Sequence, residues 1–238
     1  MGPGVSSTDT PSPEVRSRLV LSLDVGGLPE ALALARRLTP WFATAKVGYE
    51  LYAEAGPGAF DALHGLGLQV FADLKLHDIP NTVGRGAHAL GRRGVEFLNF
   101  HAAGGVDMMR AGIEGLREGA RDAGHAEPIA LGVTVLTSEA DTAAFAARLG
   151  AAADAGCDGV VCSAFEIAEA RSVAMRTMVP GLRLAGSEPD DQARVATPGT
   201  AAERGADWLV IGRTVTGAPD PVDAAAEVAA DVAAALGT

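Results

Sequence analysis

Short apolar runs alternate with longer, alanine-rich amphipathic stretches eight times along the chain, and no other feature of the sequence restricts its fold as strongly. Strands that are separated by helical crossovers pair in parallel. Eight such units between residues 18 and 238 predict a single-domain α/β protein, a closed (β/α)8 TIM barrel. The predicted strands are 19–25, 43–49, 69–76, 95–102, 128–136, 158–164, 177–182 and 207–213. The predicted helices are 29–41, 57–66, 81–91, 106–123, 142–155, 164–175, a broken one near 191–206, and 221–236.

An open, doubly wound sheet is the alternative architecture. Such sheets usually have fewer units, and they carry a glycine-rich turn after the first strand. Here the first strand runs into LDVGGLPE rather than GxGxxG. The sequence therefore favours the barrel and argues against a dinucleotide site.

Residues 1–17 precede the barrel and are rich in Gly, Pro, Ser and Thr, so we expect a flexible leader before a catalytic domain at 18–238. The leader lacks the apolar core of a signal peptide, and the chain has no run of 18 apolar residues that could span a membrane. Two cysteines, Cys157 and Cys162, are too few for a disulfide framework and suit a reducing compartment. We therefore expect a cytoplasmic protein.

The charge of the chain points to a small-molecule substrate. The net charge is −11, from 30 acidic and 19 basic residues, which is a poor match for nucleic acid or a membrane surface. Only two of the basic residues are lysines, Lys46 and Lys75. Both stand at the C-terminal ends of predicted strands, where barrels of this kind carry their chemistry. Because a lysine can release a proton and an arginine does not, these two are candidate catalytic residues.

The first three predicted strands place alternating charges at one end of the barrel. Asp73 and Lys75 are two residues apart in QVFADLKL, so both face the interior, and Asp78 follows in the loop. Lys46 ends the second strand and Asp24 ends the first. Neighbouring carboxylates favour the cationic form of each lysine, and a cationic Lys75 is a proton donor rather than a Schiff-base nucleophile. The cluster indicates proton delivery to a developing carbanion, and a buried structural ion-pair network is the alternative.

The last two units carry features of a phosphate site, which in this fold often follows strands seven and eight. Gly181 and Gly212 would let backbone N–H groups approach an oxyanion, and Arg213 supplies a bidentate cation. The loop at 181–190 has the length and composition of a mobile lid, and Gln192 after it could reach a phosphate or a ring edge. An ordinary loop is the alternative.

Eight motifs between residues 19 and 221 closely resemble those of the orotidine 5′-phosphate decarboxylase family. The third-strand motif, DLKLHDIPNTV at 73–83, is highly specific, and the others are individually weak but fall in order. These others are LDV at 23–25, KVG at 46–48, HAAGG at 101–105, TVLTS at 134–138, VPGLR at 179–183, DDQARVATP at 190–198 and VIGR at 210–213.

The resemblance implies a homodimeric, cofactor-free barrel, with no metal, that converts orotidine 5′-phosphate to UMP and CO2 in pyrimidine biosynthesis. It implies that Asp73 lies against the scissile carboxylate and that Lys75 protonates C6. It also implies that Lys46 and Asp24 contact the ribose hydroxyls. The other implied contacts are Asp78 and Thr82 in the site of the partner subunit, Ile79 near the ring, Thr137 at the base edge, Pro180 and Arg183 in the pocket, Gln192 between base and phosphate, and Gly212 and Arg213 at the phosphate.

One departure from the family and two rival functions follow from the same residues. The family commonly reads PGIRP where this chain reads PGLRL, so Leu184 replaces a proline on the lid, which bears on closure of the lid rather than on the chemistry.

Metal-dependent sugar-phosphate decarboxylases or synthases share the Asp-x-Lys-x-x-Asp pattern, but they place an acidic ligand where this chain has Lys46, a cation that would repel Mg²⁺. A non-catalytic nucleotide-binding barrel is the other rival, and it would have no use for so dense a charge cluster.

Overall fold

The computed structural model describes residues 10–136, 143–184 and 196–238. Within them, eight parallel strands pair in chain order and the last pairs with the first, so the sheet closes into a barrel. The predicted (β/α)8 fold is confirmed. The strands are β1 Leu19–Ser22, β2 Thr44–Val47, β3 Gln69–Leu76, β4 Phe97–His101, β5 Ile129–Val133, β6 Gly159–Val161, β7 Arg176–Val179 and β8 Trp208–Ile211.

Helices surround the barrel, and their ends follow local sequence signals. Asp220 caps the last helix by accepting a hydrogen bond from the Val222 N–H at 2.9 Å, and Pro221 takes the first helical position. The helices are α1 Pro13–Arg18, α2 Leu28–Leu38, α3 Tyr49–Ala55, α4 Gly58–His64, α5 Pro80–Gly91, α6 Val106–Ala123, α7 Phe145–Ala155, α8 Ile167–Ser172, α9 Pro198–Glu203, α10 Arg213–Thr216 and α11 Pro221–Leu236, with a short 3-10 helix at Ala102–Gly104.

The helix α1 overlaps the predicted flexible leader, because residues 13–18 form this helix. Ser12 caps this helix, Pro13 starts it, and the Val15 side chain is fully buried in the core. The prediction of a flexible segment is therefore wrong for residues 13–17, since a buried apolar anchor offsets the composition that favours disorder. Residues 1–9 of the predicted leader lie outside the described residues.

A second difference lies between β2 and β3. Tyr49 was predicted as the last residue of a strand, but it is the first residue of α3. The extended backbone of Gly48 separates the strand from this helix. The difference moves the Tyr49 side chain from the strand to the rim of the barrel.

The core has two layers, and the inner one supports the mouth of the barrel. Apolar residues from both strands and helices form the larger layer, which packs between the barrel wall and the surrounding helices. The inner layer consists of strand residues packed inside the barrel, which are Val20, Phe71, Phe97, Leu131, Met178 and Val210. None of the helices in the described ranges combines the length and the apolar character that crossing a bilayer requires.

Candidate active site

A cavity of about 340 Å³ opens at the C-terminal ends of the strands. Its apolar lining comes from the inside of the barrel and includes Phe71, Val133, Val161 and Val210. Its polar and charged lining is concentrated on the first three strands and on the loops after β7 and β8. These residues are Ser22, Asp24, Lys46, Asp73, Lys75, Arg183 and Arg213.

Four charged side chains, one just after β1, one on β2 and two on β3, form a continuous series of ion pairs in this cavity. The Nζ of Lys46 lies 3.0 Å from Oδ1 of Asp24 and 3.2 Å from Oδ2 of Asp73. The other oxygen of Asp73 lies 2.6 Å from the Nζ of Lys75. The structure therefore brings together four of the five charged residues that the sequence pattern singled out, in the order Asp, Lys, Asp, Lys.

The electrostatics keep Lys46 and Asp73, the buried members of this series of ion pairs, charged. Burial alone would lower the pKa of Lys46, but the charges of Asp73 and Asp24 outweigh it and raise the pKa above its ordinary value. Burial alone would raise the pKa of Asp73, but Lys46 and Lys75, with hydrogen bonds from Lys75 and Asn99, lower it instead. Asp73 is therefore a carboxylate and Lys46 an ammonium at neutral pH.

Three residues that were not predicted from the sequence support these charged side chains. Ser22 donates from Oγ to Oδ2 of Asp24 at 2.6 Å. Asn99, on β4, donates from Nδ2 to Oδ1 of Asp73 at 2.7 Å. Tyr49 donates from its hydroxyl to the Leu74 carbonyl at 2.7 Å. For Ser22 and Asn99 the available signal was a polar residue in an otherwise apolar strand, at a position that faces inward by the two-residue period.

The ends of β7 and β8, the second of which pairs with β1, carry the predicted phosphate residues. Pro180, Gly181 and Arg183 line the cavity from the loop after β7, and Gly212 and Arg213 line it from the end of β8. These groups and the series of ion pairs thus border one cavity.

The guanidinium of Arg183 is held next to the start of α10. Its Nη1 lies 3.5 Å from Oγ1 of Thr214 and 3.3 Å from the Leu182 carbonyl. Leu184 packs partly buried against the core.

The remaining predicted site residues lie outside this cavity or outside the described residues. Asp78, Ile79 and Thr82 are exposed and do not line the cavity of their own chain. The Asp78 carboxylate accepts a hydrogen bond from the N–H of the next residue, Ile79, at 2.7 Å, just before α5 begins. Thr137, Gln192 and residues 185–190 of the predicted lid lie outside the described residues.

The sequence model of the Orotidine 5'-phosphate decarboxylase / HUMPS family matches residues 17–228 of this chain. Among curated proteins, the chain is 43% identical to orotidine 5'-phosphate decarboxylase of Moorella thermoacetica, over 91% of this chain and 92% of that protein. It is also 43% identical to the enzyme of that name from Chromohalobacter salexigens, over 93% of this chain and 98% of the relative.

Solved structures give the same result for the fold. A crystal structure of orotidine 5'-phosphate decarboxylase from Lactobacillus acidophilus superposes with a TM-score of 0.76 at 32% identity, covering 91% of this chain and 99% of that one. A structure from Pyrococcus horikoshii superposes with a TM-score of 0.71 at 22% identity, covering 90% and 98% of the two chains, which is a likeness of fold.

Proposed function

The chain belongs to the orotidine 5'-phosphate decarboxylase / HUMPS family, and from this membership and the geometry of the cavity we propose that it is a carboxy-lyase that converts orotidine 5′-phosphate to UMP and CO2. The observation that carries the proposal is the position of Lys75. Its ammonium lines the cavity, 2.6 Å from a carboxylate that a second ammonium also binds. This arrangement fixes a proton donor beside the place where negative charge would develop.

In the proposed reaction, the bond between C6 and the carboxylate breaks, CO2 leaves, and the electron pair stays on C6. That pair occupies an sp² orbital that is orthogonal to the ring π system, so the ring does not delocalise it. Lys75 gives a proton from Nζ to C6, becomes neutral, and then takes a proton from water. The barrier reduction that this reaction requires is on the order of 20 kcal/mol, and a preorganised ammonium beside the developing charge is suited to supply a large part of it.

The charged neighbours of Lys75 also have roles in this reaction. Asp73 lies against the substrate carboxylate, and the repulsion between the two groups is relieved when CO2 leaves. Asp24 and Lys46 bind the ribose hydroxyls. Thr137 binds the base edge and Gln192 bridges base and phosphate, whereas Ile79 does not line the cavity of its own chain.

The phosphate is bound after β8 by Gly212 and Arg213, with Pro180 and Arg183 beside them. Arg213 presents a planar fork of donors that suits a phosphate. Binding energy from this distant, unreacting group helps to hold C6 against Lys75, which raises the rate of the chemical step.

We also propose that the active form is a homodimer in which Asp78 and Thr82 reach the cavity of a second copy. Both residues are exposed and stand at the start of α5, on the same rim of the barrel as the cavity. In such a dimer the site is complete only when two chains associate. A cytoplasmic location fits a chain with two cysteines, both buried, and the catalytic domain is best drawn from α1 rather than from residue 18.

The function is tested by following the ultraviolet spectrum of orotidine 5′-phosphate with purified protein, with and without EDTA. We expect turnover to UMP and CO2 that EDTA does not change, because Lys46 stands where a metal-dependent relative needs an acidic ligand. Loss of turnover with EDTA would favour a metal-dependent sugar-phosphate decarboxylase or synthase. Binding of the nucleotide without turnover would instead indicate a non-catalytic barrel.

A further inference from the structure

The backbone of β3 departs from regular strand geometry where it carries the proton donor. On β3, Ala72 pairs with Leu98 and Leu76 pairs with Phe100, so four steps on β3 match two steps on β4. Within this bulge Lys75 has a φ of +43°, in the left-handed region that a side chain with a Cβ disfavours. Surrounding contacts must hold such a conformation in place.

The two polar groups of the peptide between Leu74 and Lys75 are each held by a side chain from a neighbouring part of the barrel. The Tyr49 hydroxyl, at the start of α3, donates to the Leu74 carbonyl at 2.7 Å. The Lys75 N–H donates to Oδ1 of Asn99, on β4, at 2.7 Å. Side chains thus replace the ladder hydrogen bonds that a regular strand would give this peptide.

Asn99 links the peptide to the carboxylate beside the proton donor. Its side chain is fully buried, and its Nδ2 donates to the same oxygen of Asp73 that lies 2.6 Å from the Nζ of Lys75. One amide therefore fixes both the backbone and the ion-pair partner of Lys75. An amide can accept with its oxygen and donate with its nitrogen at once, which a carboxylate cannot do.

Tyr49 adds a second contact to the same lysine. Its ring lies 5.8 Å from the Nζ of Lys75, within the range of a cation–π interaction. Partial burial and the charge of Asp73 raise the pKa of Tyr49 above its ordinary value. The hydroxyl consequently stays protonated, and able to donate to the Leu74 carbonyl, at neutral pH.

We propose that Tyr49 and Asn99 are positioning residues that clamp the Leu74–Lys75 peptide and thereby aim the Lys75 ammonium at C6. The proposal rests on the proposed function of Lys75. The φ of a residue sets the direction in which its Cα–Cβ bond leaves the strand, so release of this peptide would swing the ammonium away. The clamp acts on the proton-transfer step and leaves the phosphate contacts that bind substrate unchanged.

Tyr49→Phe tests the clamp with the loss of a single oxygen atom. We expect kcat to fall about tenfold with KM within about twofold of wild type, because the clamp acts in the transition state. Tyr52→Phe is the matched control, since it removes a hydroxyl from the same helix and its ring stacks on Phe60. The two variants should unfold at similar temperatures, so a difference in kcat alone reports positioning.

A second readout isolates the proton transfer. By microscopic reversibility, neutral Lys75 removes the C6 proton of UMP and returns a deuteron in D2O, which NMR detects as loss of the C6–H signal. This exchange needs no substrate carboxylate. We expect Tyr49→Phe to slow it by about the same factor as kcat, whereas a general loss of fold stability would not slow it in the folded fraction.

Asn99→Asp separates the effects of the two hydrogen bonds that the Asn99 side chain makes. The new carboxylate can still accept from the Lys75 N–H, but it cannot donate to Asp73 and it adds a like charge there, so we expect kcat to fall about 100-fold. Tyr49→Phe remains decisive if this buried variant fails to fold. The proposal is overturned if Tyr49→Phe leaves kcat and the C6 exchange within twofold of the Tyr52→Phe control. Turnover by the wild-type chain tests the proposed function, and the ratio of variant to wild type tests the clamp.

Discussion

The Nζ of Lys75 lies 2.6 Å from Oδ1 of Asp73, two residues earlier on the same strand. The side chain of Asp73 is 13% exposed and that of Lys75 is 29% exposed, so the pair reaches from the wall of the barrel into the cavity. A proton donor held in this way needs both a charge and a defined position.

Lys75→Arg keeps the positive charge but should lower the turnover rate by about 1,000-fold or more. A guanidinium does not release its proton at neutral pH, and its planar head places its donors differently from an ammonium. The measurement is the ultraviolet assay with orotidine 5′-phosphate, alongside a thermal melt to show that the variant folds. A rate near that of wild type would refute the assignment of Lys75 as the proton donor.

Arg213→Ala should weaken the binding of orotidine 5′-phosphate by about 100-fold and that of the bare nucleoside, orotidine, by less than about twofold. The guanidinium lines the cavity on the side assigned to phosphate, and a charged hydrogen bond of this kind contributes about 1.5–3 kcal/mol. Competition binding with both ligands measures the two losses. Arg93→Ala, in an exposed pair with Asp61, is the control, and equal losses for both ligands at Arg213 would contradict its phosphate role.

The sequence was sufficient to predict the barrel and the meeting of the charged residues at its mouth. Alternation of strand and helix determines the topology, and the two-residue period of β3 puts Asp73 and Lys75 on one face. Parallel strands of a closed barrel end at one rim, so Asp24 and Lys46 had to lie nearby. These conclusions need only the spacing of residues along the chain.

The supporting contacts could not be predicted in the same way. Asn99 meets Asp73 only because β3 bulges against β4, and no local signal in QVFADLKL indicates a bulge. Tyr49 ends the predicted strand 43–49, yet the backbone leaves the strand at Gly48 and Tyr49 begins a helix. Val15 lies in a polar, proline-containing segment whose composition favours disorder, although Ser12 and Pro13 are a local helix-start signal, and its burial in the core holds the helix in place. The contacts of Asn99 and Tyr49 depend on tertiary packing, which overrides local propensity.

Lys46→Met should lower the free energy of unfolding by about 3 kcal/mol. The Lys46 side chain is 9% exposed, and its removal leaves the buried carboxylate of Asp73 with one ammonium partner fewer. Arg37→Met is the matched control, because it breaks an ion pair with Asp220 in which both side chains are more than half exposed, and it should cost less than about 1 kcal/mol. Urea denaturation of both variants measures the difference, and equal losses would show that Asp73 does not need Lys46 for stability.

Gly115→Ala should destabilise the fold by at least about 2 kcal/mol. A Cβ at Gly115 on α6 would overlap the backbone carbonyl of Gly84 on α5, and neither backbone can move without separating the two helices. Gly86→Ala on α5 is the control, since a Cβ there meets no atom within 4 Å and should stabilise the helix by about 0.5–1 kcal/mol. Thermal melts of the two variants should therefore shift in opposite directions. A Gly115→Ala protein as stable as wild type would contradict the close approach of the helices.

The hydrogen bond between His64 and Glu96 should make stability depend on pH. Their side chains lie 3.1 Å apart, and this bond raises the pKa of His64 above its ordinary value of 6.5, although burial opposes the rise. A folded-state pKa that is raised contributes stability that is fully present below about pH 6.5 and is lost as the pH rises through the folded value. His64→Gln keeps a donor but not the charge, so it should cost up to about 1 kcal/mol at about pH 5.5 and little at about pH 9. Urea denaturation of the wild type and His64→Gln at both pH values measures this effect. In a Glu96→Gln background, the pH dependence of the His64→Gln effect should vanish. A His64→Gln effect that is equal at the two pH values would contradict the coupling between His64 and Glu96.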